Sequence, residues 1–148
     1  MSYFLRITRT PYEEPYHLQL LLETSNGRQS ASLEICVNAD SIKEMASALE
    51  AFPRHASDAY LFEVGSERKE DRWAYYLRFR AFLTDALGHS ALLFRFNNNR
   101  ELPYRELAEF CIEAEPASIN RLGALLKEFS KLKHTTLHWS ADDTHLDI

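Results

Sequence analysis

The chain has 148 residues, 45% hydrophobic and 26% charged, with a formal net charge of −5. That is the length and composition of one ordinary globular unit, and four glycines and five prolines argue against long disordered stretches. The acidic balance speaks against a sequence-independent nucleic-acid binder, which needs surplus Lys and Arg to neutralise phosphates. No apolar run approaches the ~20 residues of a membrane helix. Met1–Arg6 lacks the apolar core of a secretory signal, so no membrane association and a cytoplasmic location are expected.

In chain order, Tyr3 to Thr8 alternates apolar and polar residues and reads as a first strand. Pro11 to Pro15 is a loop. Tyr16 to Thr24 is a second strand with Leu18, Leu20 and Leu22 on one face. Asn26-Gly27 then marks a hairpin turn into Gln29–Asn38, whose apolar face is Leu33, Ile35 and Val37. Ser41-Ile42-Lys43-Glu44 has the capping-box pattern of a helix start, and that helix ends near Phe52, before Pro53. Tyr60 to Val64 is a fourth strand. The stretch Gly65–Arg72 alternates in charge and reads as a solvated loop between two halves.

The second half repeats that order. Trp73–Thr84 is a long strand, Asp85–His89 a turn around Gly88, and Ser90–Asn97 its return partner with Leu92, Phe94 and Phe96 inward. Tyr104–Ala114 is a third strand. Pro116 opens a helix that runs to about Lys131, Thr135–Trp139 is a last strand, and the polar tail Ser140–Ile148 is expected to fray.

The repetition is visible in residues. Ile35-Cys36-Val37-Asn38-Ala39-Asp40 precedes Ser41-Ile42, and Phe110-Cys111-Ile112-Glu113-Ala114-Glu115 precedes Pro116-Ala117-Ser118-Ile119. Counted from each Ile, small or apolar residues fall at +3, +4, +7 and +10 (Met45, Ala46, Leu49, Phe52 and Leu122, Gly123, Leu126, Phe129), one stripe per helix. A helix with a single stripe must lie on a sheet. The expected fold is therefore α+β: one domain over 1–148, mainly antiparallel, with two helices on one face and two quasi-repeated strand-strand-strand-helix-strand halves at about 1–66 and 72–140. Two packed sheets are the alternative. Cys36 and Cys111 read as buried or half-buried strand residues.

With helices on one face, the alternate residues occupy the other. Tyr76, Arg78, Arg80 and Arg95, with Glu109 and Glu113, make that face a mixture of arginine, aromatic and carboxylate. It reads either as a solvated face with cross-strand ion pairs or as a partner-binding face, since Arg and aromatics are enriched where partners dock.

Chemistry-bearing motifs are absent. There is no CxxC, HExxH, Walker or dinucleotide fingerprint, and the four glycines are isolated, so no catalytic, metal or cofactor residue is expected. His134 and His138 on one strand would stand ~13 Å apart, too far to share a metal. Asp85 with His89 suits a turn but is also a pair capable of acid–base work.

The order of elements over Ala31–Phe52 and Tyr104–Phe129 resembles small bacterial immunity proteins of polymorphic toxin systems. That resemblance, of plan and not of motif, implies a cytosolic protein that acts by docking on a toxin, with an acidic or mixed binding face and no cofactor. The resulting expectation is a non-enzymatic protein-interaction module binding a protein partner or itself. A small-molecule or enzymatic site between sheet and helices, with Asp85 and His89 at its mouth, is the competing reading, and a homo-oligomer burying the mixed face is the third.

Overall fold

The computed structural model describes residues 2–11 and 15–148; Glu13 and Glu14 of the first expected loop lie outside the described residues. The first half supplies β1 (Phe4–Pro11), β2 (Leu18–Ser25), β3 (Ser30–Val37), α1 (Ala39–Glu50) and β4 (Ala59–Gly65). The second supplies β5 (Tyr76–Leu83), β6 (Ser90–Asn97), β7 (Leu107–Glu113), α2 (Pro116–Phe129), β8 (Thr136–Ser140) and β9 (His145–Asp147). The fold is α+β with antiparallel pairing throughout.

The β platform is divided into two sheets, β3-β2-β1-β8-β9 and β4-β5-β6-β7. The division follows a reciprocal exchange. After α1 the chain does not return to the first sheet but pairs β4 with β5. After α2 it does not return to the second sheet but pairs β8 with β1. Each half thus closes the other's sheet, which is the arrangement of an approximate two-fold axis. The registers agree with the repeat: Cys36 stands opposite Gln19 on β2, and Cys111 opposite Leu93 on β6.

The expected apolar faces turn inward. Leu18, Leu20 and Leu22, Leu33 and Ile35, and Leu92, Phe94 and Phe96 are buried, and they join both helix stripes in a continuous core that includes Leu137 and Trp139. Full burial of such side chains stabilises by roughly 1.5–3 kcal/mol each before entropy is counted. A void of about 30 Å³ lies between sheets and helices and is lined wholly by apolar side chains. That void is no larger than one water molecule.

Local departures from the sequence reading have identifiable causes. The cap of α1 is Asn38, whose Oδ1 accepts from the Ser41 amide at 2.8 Å, so Ser41 lies inside the first turn and the capping box is not used. Pro116 does open α2, which ends at Phe129. β5 starts at Tyr76, not Trp73, and β7 at Leu107, not Tyr104, where the Asn98 amide bonds to the Glu106 carbonyl and the Tyr104 amide to the Glu101 carbonyl in a closed loop. The tail does not fray: β9 pairs back on β8, setting His138 beside His145 with ring centroids 5.1 Å apart. Cys36 and Cys111 are exposed free thiols, not buried ones, since each lies on the outward parity of its strand.

Candidate functional site

The outer face of the second sheet collects all six residues singled out in the sequence. Strand register arranges them in rows. Glu63, Arg78, Arg95 and Glu109 stand side by side across β4, β5, β6 and β7. The next row is Leu61, Arg80, Leu93 and Cys111, and the next Ala59, Phe82, Ala91 and Glu113.

Two arginines directly opposite each other, Arg78 and Arg95, would repel. Carboxylates on both flanks offset this. Glu109 Oε2 accepts from Arg95 at 2.9 Å, and Arg78 Nε lies 3.8 Å from Glu63 Oε2. The Tyr76 hydroxyl donates to Glu63 and accepts from Arg78 Nε at 2.8 Å. Burial and the hydrogen bond to Glu63 both raise the Tyr76 pKa above that of a free phenol, so the ring stays a neutral donor.

A third carboxylate comes from the loop between β4 and β5. Glu67 takes Arg95 Nε at 3.0 Å and Asn97 Nδ2 at 2.7 Å. Burial alone would raise the Glu67 pKa, but the hydrogen bonds from Asn97 and Arg95 outweigh it and lower the value. The loop is therefore not simply solvated. Gly65 (φ +87°) turns it back over the sheet, and a Cβ there would meet the Tyr75 carbonyl oxygen at 2.1 Å, which only glycine permits. Asn99 Nδ2 ties the loop down through the carbonyls of Ser66 at 2.8 Å and Trp73 at 3.0 Å.

The six residues consequently fall into two groups. Tyr76, Arg78, Arg95 and Glu109 are satisfied by one another and by Glu63 and Glu67. Arg80 and Glu113 form no ion pair with any described residue; the Arg80 guanidinium rests on the Phe82 ring at 4.8 Å. Around Arg80 lie half-buried Phe82 and Leu93 and the 51% exposed Leu61. Sequence reasoning missed Glu63, Glu67 and Leu61. Glu63 and Leu61 sit on the outward parity of β4, which could have been read had β4 been assigned to β5. Glu67 carried no periodic signal.

A second concavity, of about 640 Å³, lies where the β5–β6 hairpin meets the start of α2. His89 Nδ1 and Asp85 Oδ2 are 2.5 Å apart, while Asp85 Oδ1 accepts from the Leu87 and His89 amides at 2.9 and 3.1 Å. Asp85 thus holds both the turn and the imidazole. The hydrogen bond and charge of Asp85 raise the His89 pKa, and His89 lowers that of Asp85. The lining is mainly polar and includes one tyrosine, Tyr3. The nearby Ser90 hydroxyl is committed to the Ala114 carbonyl. Among the described residues no cluster of three or more His, Cys, Asp or Glu could hold a metal ion, and no helix is long and apolar enough to cross a membrane.

No protein-family model, curated protein or solved structure matches this chain. The site's own geometry is the basis for a functional reading.

Proposed function

We propose that the protein is a non-enzymatic interaction module that docks a protein partner on the outer face of its second sheet. The observation that carries this reading is Arg80. Its guanidinium lies over the Phe82 ring at 4.8 Å, has no carboxylate partner among the described residues, and stands on the strand register between Leu61 and Leu93. An arginine without a carboxylate partner, set among partly exposed apolar side chains, is the composition of an interface hot spot. The satisfied Tyr76–Glu63–Arg78 and Glu67–Arg95–Glu109 network beside it pre-orders the face, which lowers the entropic cost of docking.

Toxin neutralisation in a bacterial cytoplasm is the specific role that the element plan suggests. It calls for a partner encoded beside this gene and a tight complex, weakened by salt because charge steers the encounter. Affinity capture from the native host tests both levels. The unmodified protein is expected to retain one stable partner, and a Leu61→Asp/Arg80→Glu variant to lose it. Retention by that variant, or no partner at all, counts against the reading. Light scattering on the purified protein separates a second copy of the chain from a foreign partner.

The pair Asp85–His89 favours one other reading, a site for acid–base chemistry on a small molecule in the 640 Å³ concavity. Alanine at both positions would abolish ligand binding or turnover there and leave partner capture unchanged.

A further inference from the structure

The loops that flank the docking face enclose a cleft of about 420 Å³. The β4–β5 loop forms one wall and the β6–β7 loop the other, and Glu67, Asn97 and Leu107 make it continuous with the face described above. Its lining is cationic although the protein is acidic: Arg68, Lys69, Arg72, Arg100 and Arg105 face only two carboxylates, Glu67 and Glu101. Glu67 is already spent on Arg95 and Asn97. Glu101 is shared between Lys69 at 3.5 Å and Arg105 at 3.6 Å, and Arg68 pairs with Glu70 at 2.7 Å.

Two guanidiniums remain. Arg100 lies over the Tyr104 ring at 4.9 Å and has no ion pair among the described residues. Arg72 has neither hydrogen bond nor ion pair for its side chain among them. Arg72 also adopts the left-handed conformation (φ 54°, ψ 36°), which is strained for an L residue. Between them Trp73, 47% exposed, and Leu107, 50% exposed, add apolar surface.

We propose that this cleft receives an acidic segment of the docked protein, with carboxylates bridging Arg72 and Arg100 and an apolar side chain against Trp73. The inference rests on the docking reading above and names the chemistry of the partner. Guanidinium forks match carboxylates in a bidentate manner. The cations are also confined. Glu70, Asp71 and Glu106 lie in the same loops outside the cleft lining, and an extended phosphate backbone would be repelled by them. A short acidic peptide avoids that rim.

The test uses the whole protein, labelled with nitrogen-15, and the blocked peptide Glu-Glu-Phe-Glu, with Gln-Gln-Phe-Gln and a decathymidylate as comparisons. The acidic peptide is expected to shift the Trp73 indole signal and the Arg72 and Asn99 amides, and to weaken as salt rises. Arg72→Gly with Arg100→Gln is expected to bind at least about tenfold more weakly while melting no lower than the unmodified protein, since glycine relieves the backbone at 72. Equal binding of the glutamine peptide, tighter binding of the decathymidylate, or undiminished binding by the double variant overturns the proposal. The Leu61→Asp/Arg80→Glu variant is expected to bind the peptide normally. Its failure to do so would place the peptide on the sheet and overturn the cleft while leaving the docking face standing.

Discussion

Ala46 and Gly123 occupy the same position of the repeated helix and touch each other. A Cβ on Gly123 would lie 2.9 Å from the Ala46 carbonyl oxygen and 2.6 Å from the Glu50 backbone nitrogen. Contact between equivalent positions is the mark of a two-fold axis, here passing between α1 and α2 within one chain. Glycine costs its helix about 1 kcal/mol relative to alanine, yet it lets the two helices approach backbone to backbone. Gly123→Ala should therefore destabilise, by about 1–3 kcal/mol through forced separation of the helices, despite alanine's better helix propensity. Thermal unfolding checks the sign: a rise in Tm would show that the helices are not in backbone contact.

The same helix pair is tied again one turn along α2. Asn120 on α2 donates through Nδ2 to the Leu49 carbonyl at 2.8 Å and the Phe52 carbonyl at 2.7 Å, both at the C-terminal end of α1 where intrahelical donors run out. Asn120→Ala would remove the Asn120 donor from both carbonyls and leave the Leu49 carbonyl with the Phe52 amide. A loss of about 1–3 kcal/mol is expected in denaturant unfolding, and Asn120→Asp, which keeps the shape but removes the donor, should lose as much or more.

Asp85 fixes the protonation of His89. The imidazole is expected to titrate above its ordinary value in a proton NMR titration, with the hydrogen bond that it donates to Asp85 as the main cause. Asp85→Asn should bring it back down. Because the folded pKa lies above the unfolded one, the pair favours the folded state most below the ordinary histidine pKa. That contribution fades as pH rises through the raised value. His138 behaves in the opposite sense, since burial and then Arg6 and His145 lower its pKa.

Asp58 gives a second, opposite pH signature. Its buried carboxylate accepts from the Arg54 amide at 2.9 Å and from its guanidinium at 3.2 and 3.0 Å, which lowers its pKa to about 2. A depressed carboxylate stabilises the fold above its unfolded pKa, and that stability is lost as pH falls from about 4 toward 2. Asp58→Asn should melt below the unmodified protein at neutral pH, with the gap narrowing in acid. A gap independent of pH would assign Asp58 a purely steric role.

The strands, both helix stripes and the repeat are legible in the chain because period-2 and period-3.6 patterns report burial directly. Leu18, Leu20 and Leu22, or Ile119, Leu122 and Leu126, could face only one way. The division into two sheets is not legible. β4 carries the same alternation whether it pairs with β1 or β5, so nothing in Tyr60–Val64 announces the exchange. For the same reason Glu63 and Leu61 could not be joined to Arg78 and Arg80 in advance. In the sequence Glu67 and Arg72 look solvated because alternating charge is what a solvated loop shows; the turn at Gly65 and the anchor at Asn99 reveal that the loop covers the sheet. The helix cap was displaced because Asn38 outcompeted the Ser41–Glu44 pattern three residues later.

Calorimetric titration of the captured partner onto the purified protein, at low and at high salt, tests the docking face most directly. Three forms are compared: unmodified, Leu61→Asp/Arg80→Glu on the second sheet, and Glu34→Lys on the exposed face of the first. The unmodified and Glu34→Lys proteins are expected to bind alike and more weakly in salt, and the double variant to bind at least about a hundredfold more weakly, the ~2.7 kcal/mol of a hot-spot loss. Undiminished affinity of the double variant, or loss of binding through Glu34→Lys alone, would contradict the assignment.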